Sequence, residues 1–241
     1  MVVLFFTRPL MRSRLSGEIE NILLKGIIRG QLRIGEKLPA EREIARDLEV
    51  NRSTVRAALS KLESLDLVEI RQGDGIYVKD YLKSGSLELI RALIRLDEQQ
   101  RDTIISTLLE FRSMISPDMA ALAARYRTDE HLAALEQVIW KSDGLSIVER
   151  DIEVHHIIGL ASSNILYLIL LNFSNKFMLE YGYLYFDEPK NVERSQRFHE
   201  DIYRAIRDRD DRKARKIMED VMKYAEDAVV EKFRIGNDRR R

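Results

Sequence analysis

Residues 38–78, LPAEREIARDLEVNRSTVRAALSKLESLDLVEIRQGDGIYV, leave few folds open to this chain. Apolar positions at helical spacing predict a helix over 40–48, with Ile44, Ala45 and Leu48 inward. A tight polar turn follows, and Asn51 is placed to cap a second helix that runs to about residue 65. Val55, Ala58, Leu59 and Leu62 give that helix an apolar stripe. Leu67-Val68-Glu69-Ile70 and Ile76-Tyr77-Val78 then read as strands joined by Gln72-Gly73-Asp74-Gly75. Two short helices and a glycine-tipped hairpin outline a winged helix-turn-helix. A preceding helix over 12–30 would turn Leu15, Ile19, Ile22, Leu23, Gly26 and Ile27 to one side. The run VVLFF at residues 2–6 is expected as a short strand near the wing.

The second helix opens on groups suited to duplex DNA. Arg52 and Arg56 lie four residues apart and share a face, and either fork can pair with guanine O6 and N7. Asn51 and the hydroxyls of Ser53 and Thr54 suit phosphate oxygens, as do free amides at a helix N-terminus. Arg42 could clamp the backbone or reach a base, and Gly73 at the wing tip would let main chain approach the minor groove. Residues 1–80 carry 14 Lys and Arg against 12 Asp and Glu, and the whole chain is formally neutral. DNA binding must therefore come from placed arginines and not from a bulk field.

Beyond residue 86 the pattern is helical almost throughout. Apolar residues recur at helical spacing across 87–96, 101–127, 129–142, 146–162, 165–182, 190–208 and 211–234. The expected architecture is mainly α: a winged domain over 1–79, a linker over 80–86, and a bundle of six or seven helices over 87–241. With no cysteine, disulfide, thiolate and zinc-finger chemistry are excluded, and a reducing cytoplasm is the expected setting. No segment has the length of a membrane span, so no membrane partner is expected.

GEKLPAERE, VNRSTVRAAL and LVEIRQGDGIYV resemble the GntR family of bacterial transcription regulators. In that family the positions of Arg42, Asn51, Arg52, Ser53, Thr54, Arg56 and Gly73 contact DNA. Asp66 stands where the family usually has a glycine. Aspartate tolerates left-handed backbone better than most residues, so the turn is expected to survive. The stretches FRSMISPDMAALAARY, DIEVHHIIGLASSN and FHEDIYRAIRDRD resemble the FCD effector domain, and LIRLDEQQ, GLASSN and YLYF resemble the fatty-acid-responsive FadR-like branch. The resemblance implies a homodimer on a palindromic operator, controlled by a small acidic effector: a long-chain acyl-CoA or a carboxylic acid.

It also implies a metal site. Asp151 and His155 share a helix face at i,i+4, and with His199 they fall on three of four family ligand positions for a divalent ion such as zinc or nickel. Val221 takes the fourth place and cannot ligate. The alternative is a buried Asp–His hydrogen bond with no metal. Arg112 could pair with an effector acid or form a salt bridge between helices. Tyr185, in the aromatic run Tyr181, Tyr183, Tyr185, Phe186, would line an apolar pocket with Val221 and Ala225. His131 and His156 are expected at the surface. Two other classes compete: a metal-dependent hydrolase or lyase, which would need a second carboxylate as general base, and a constitutive architectural DNA binder.

Overall fold

The computed structural model describes residues 11–96, 98–141 and 144–238, so the expected strand at residues 2–6 lies outside the described residues. The chain divides into two compact units, Met1–Arg101 and Asp102–Arg241.

The first unit holds α1 (Met11–Ile28), β1 (Lys37–Leu38), α2 (Glu41–Asp47), α3 (Arg52–Ser64), β2 (Val68–Arg71), β3 (Gly75–Val78), α4 (Tyr81–Ser84) and α5 (Leu87–Ile94). The wing is a three-stranded antiparallel sheet in the order β1-β3-β2. Its hairpin is the expected one, and β1 is an addition. Two residues are too short to show alternation in a sequence, yet Lys37 pairs with Tyr77 and Leu38 with Ile76. Val55, Leu59, Leu62 and Leu67 are completely buried, and burial of each such side chain contributes about 1.5–3 kcal/mol. Three expected core residues lie outside the core: Leu15, Ile22 and Leu48 are 43%, 57% and 40% exposed. The buried face of α1 runs instead through Ile19, Leu24 and Ile27, and Leu48 sits at the C-cap of α2, past its buried stripe.

Asp66 has φ +59° and closes α3 as expected of its position. Its carboxylate accepts from Lys79 Nζ at 2.6 Å, which ties the turn to the strand end. Residues 80–86, expected as a linker, contain a capped helical turn: Asp80 Oδ1 accepts from the Leu82 amide at 3.2 Å. Leu89 and Leu96 are buried in the same core as Leu59 and Leu62, so α5 packs with the winged unit.

The second unit contains the greater part of α6 (Glu98–Tyr126), then α7 (Asp129–Glu136), α8 (Ile147–Ala161), α9 (Ile165–Tyr181), α10 (Tyr183–Phe186), α11 (Pro189–Arg207) and α12 (Asp211–Asp238). A π-helical turn, Gln137–Lys141, extends α7. The helix starts carry ordinary caps. Ser146 Oγ accepts from the Glu149 amide, Asn164 Oδ1 accepts from Leu166 and Tyr167, and the His131 ring accepts from the Thr128 amide. One core gathers Met119, Ile158, Leu171, Ile202, Ile206 and Met218; a smaller one surrounds Ile105, Tyr185, Phe186 and Val229.

Two arginines clasp one end of this bundle. Arg209 donates to the carbonyls of Arg125 and Arg127 at 2.7 and 3.3 Å, and Arg127 donates to the carbonyl of Arg207 at 2.8 Å. Each fork thus satisfies carbonyls that a helix end leaves open. Among the described residues no helix is long and apolar enough to cross a membrane.

Candidate DNA interface and effector cavity

The turn between α2 and α3 is set by Glu49 at φ +52°, which brings the two helices together. Asn51 occupies the N-cap of α3 in extended conformation, although its side chain makes no capping hydrogen bond. Arg42, Asn51, Arg52, Ser53 and Arg56 are all exposed there, and Gly73 is exposed at the wing tip. Gly73 has φ +77°, and a Cβ built on it would meet nothing within 4 Å. Backbone conformation, not crowding, is what calls for glycine at that tip. Thr54 is different. It is 4% exposed, on the inner face of α3, so its hydroxyl does not present itself to phosphate.

The structure also adds a partner that the sequence did not single out. Glu41 of α2 takes the Arg56 guanidinium in a two-pronged pair, Nε to Oε1 at 3.0 Å and Nη2 to Oε2 at 2.7 Å. The pair holds the Glu41 carboxyl below its usual range. Arg42 and Arg52 form no hydrogen bond or ion pair with described residues. Arg42 and Arg52 are therefore freer than Arg56 to meet a ligand, and Arg52 stands in the first turn of α3. Replacing Arg52 with alanine is expected to weaken operator binding by about 1–3 kcal/mol and to relax preference at one base pair. Arg42→Ala should weaken binding evenly across sequences and reduce the salt slope by about 1. Fluorescence anisotropy at several salt concentrations checks both.

In the helical unit, a cavity of about 70 Å³ lies between the two cores. Ile105, Leu109, Phe177, Met178, Leu184 and Val229 make its apolar walls, and Arg112, Asp151, His155 and Ser195 give it a polar end. The expected residues Tyr185, Val221 and Ala225 also face it. Several waters or a small organic group could occupy such a space.

The polar end is a hydrogen-bonded cluster with an open side. Ser195 Oγ donates to Asp151 Oδ1 at 2.9 Å, and His199 Nε2 stands 3.1 Å from the same oxygen. His155 Nε2 lies 3.8 Å from Asp151 Oδ2, too far for a hydrogen bond, and its ring stacks on Phe198. His199, expected to touch an effector, does not line the cavity; it sits behind Asp151 and orients that carboxylate. Ser195 was not anticipated, though it lies one turn before His199 and therefore on the same face.

Burial pushes the Asp151 carboxyl up, but the imidazoles of His155 and His199 and the Arg112 charge outweigh it and hold it ionised. Burial pushes His155 down to about 4, against the opposing pull of Asp151, so the ring is neutral at pH 7. Burial likewise pushes the Tyr185 hydroxyl up. Three buried atoms in the cavity wall have no hydrogen-bond partner among the described residues: Arg112 Nε, His155 Nδ1 and the Tyr185 hydroxyl. Arg112 is 4% exposed, and its nearest compensation is the field of Asp151, which it does not touch by hydrogen bond.

These residues do not fit a resident metal ion. Asp151 Oδ1 is already engaged by Ser195 and His199, Val221 in the cavity wall cannot ligate, and no group of three His, Cys, Asp or Glu among the described residues could hold an ion. The constellation is not a hydrolase triad either. His199 meets Ser195 and Asp151 through the same nitrogen, so no proton can be relayed across the ring.

Comparison with known proteins agrees with both halves. The model for bacterial regulatory proteins of the gntR family matches residues 15–78, and the FadR C-terminal domain model matches residues 79–231. The chain belongs to the GntR family, with a FadR-type C-terminal domain. GntR-family relatives include the HTH-type transcriptional regulator LutR of Bacillus subtilis, 32% identical over 73% of this chain and 84% of that one. The fatty acid metabolism regulator protein of Pasteurella multocida is 26% identical over 80% of each chain. A solved structure described as Lar, which controls expression of the Listeria monocytogenes agr system, covers 94% of this chain and 99% of its own; the TM-score is 0.53 and the identity 16%, a likeness of fold. A GntR-family chain of this kind is a DNA-binding transcription regulator and not an enzyme.

Proposed function

We propose that this regulator acts as a homodimer on a palindromic operator and is controlled by a small amphipathic carboxylic acid held in the helical unit. Two copies are called for because a single recognition helix reads only a few base pairs, and two-fold symmetry doubles the readout. The observation that carries the effector assignment is Arg112: a guanidinium 4% exposed, in a cavity wall, with no hydrogen-bonded counter-ion among the described residues. Burying a cation without a partner is costly, and an effector carboxylate would remove that cost. The apolar walls would take the rest of the acid. The match to a FadR C-terminal domain and the fatty acid metabolism regulators among its relatives support an acyl chain as that remainder. A long-chain acyl-CoA is far larger than about 70 Å³, so the cavity as it stands favours a short free acid. By binding one arrangement of the helices better than another, the acid would shift the population that holds the operator.

Thermal denaturation of the full chain with straight-chain acids and their methyl esters tests this reading. At a ligand concentration 100 times Kd, a native-state ligand adds about 2.7 kcal/mol and raises Tm by several degrees. The acids should do so, the esters should not, and Arg112→Met should abolish the response. A shift seen only with acyl-CoA thioesters would replace the free acid as effector. Stoichiometric zinc or nickel in the purified protein, with a Tm that falls on chelation, would sink the metal-free assignment.

A further inference from the structure

One arginine of the recognition helix is already held in place. Arg56 stands on α3 one turn after Arg52, and its side chain is 69% exposed. A long side chain in that setting ordinarily samples many rotamers. Here Glu41, the first residue of α2, fixes it from across the helix-turn-helix, taking Nε on Oε1 at 3.0 Å and Nη2 on Oε2 at 2.7 Å. Both carboxylate oxygens are used, and the Glu41 side chain is only 25% exposed, so the brace is the better anchored of the two. Arg42 and Arg52, which flank this pair in the sequence, have no such brace among the described residues.

The pair consumes one edge of the guanidinium and leaves another open. A guanidinium carries its N–H groups in one fixed plane. Nε–H and the nearer Nη2–H point to Glu41, while the other Nη2–H and the Nη1–H beside it point outward in parallel from the end of the side chain. Parallel donors of that kind are what guanine O6 and N7 accept in the major groove. The charges act in the same sense. A cation already balanced by a carboxylate gains little from a phosphate, and the carboxylate itself repels one. We infer that Glu41 determines specificity: it aims the end fork of Arg56 at a guanine and withholds that arginine from the phosphate backbone. Glu41 is thus a positioning residue, because it acts through Arg56. The inference rests on DNA binding by the family and is independent of the dimer and effector readings above.

Selection from a pool of randomised duplexes, followed by anisotropy titrations at several salt concentrations, tests this with the full chain. The parent should select a guanine that Arg56→Met no longer requires, preferred over other bases by about 5- to 150-fold. Glu41→Gln keeps the size of the side chain and removes its charge. It should cut that preference by about 5-fold or more and tighten binding to an unrelated duplex. The slope of log K against log salt should steepen by about 1, as Arg56 turns to phosphate. In the Arg56→Met background, Glu41→Gln should change no base preference. Arg56→Lys keeps the charge and should still lose the guanine, because an ammonium cannot be braced on one edge and read from another. A guanine preference in Glu41→Gln equal to the parent's or stronger would make the carboxylate a bystander or a mask and overturn the inference. So would a parent that selects no guanine through Arg56. If Glu41→Gln weakens binding to all duplexes alike, its role is structural and the inference falls.

Discussion

Asp151→Ala should destabilise the helical unit by about 3–5 kcal/mol, seen as an earlier urea transition of that unit in the full chain. The carboxylate accepts from Ser195, holds His199 at 3.1 Å, and among the described residues supplies the negative field nearest the buried Arg112 cation. Removing it leaves a guanidinium in low dielectric with nothing to balance it. Adding Arg112→Met to that variant should recover much of the loss, because the charge that Asp151 balances is then gone. Additivity of the two substitutions to within about 0.5 kcal/mol would show that the carboxylate is not there to balance that arginine.

Acid should weaken the same unit through His155. Its ring is pushed down from 6.5 to about 4 because burial penalises the imidazolium, while the unfolded chain protonates it at the ordinary value. Between these two pH values the unfolded state binds more protons, so stability falls as pH falls through that window. The contribution is complete above about pH 6.5, and about 3 kcal/mol is gone by about pH 4. Asp151, held below its usual range, adds a further loss at lower pH still. Denaturant titrations of the parent and of His155→Leu between about pH 7 and pH 4.5 should diverge, with the parent declining and the variant nearly level across that interval. Parallel declines would place the acid sensitivity on another group.

The local features of this protein are well expressed in its sequence. Helix spacing located α7 to α9, α11 and α12 to within a few residues, because each buries a stripe and starts on a capping residue or, for α11, on Pro189. The chemistry of aspartate anticipated the left-handed turn at Asp66. Features that depend on distant partners were harder to see. Ile22 obeys the periodicity of α1 as well as Ile19 does, and only the direction from which α3 approaches decides between them. Glu41 pairs with Arg56 across fifteen residues and two helices, and Ser195 matters because Asp151, forty-four residues away, turns toward it. Six of the seven expected effector contacts do line the cavity. The seventh, His199, lies one layer behind, and a spacing pattern carries no depth.

The arginine clasp at the end of α6 has a mechanical consequence. Arg125 and Arg127 are fastened to the α11–α12 corner, while Arg112 and Ile105 of the same helix border the cavity. The fastened turn and the cavity stand about 20 Å apart along one helix, with Pro117 between them. The fastened turn cannot slide when a ligand presses on the cavity side; the helix can only pivot, at the clasp or at Pro117, where the proline removes a backbone hydrogen bond. The clasp therefore fixes one end of α6, and movement at the cavity falls to the stretch before Pro117.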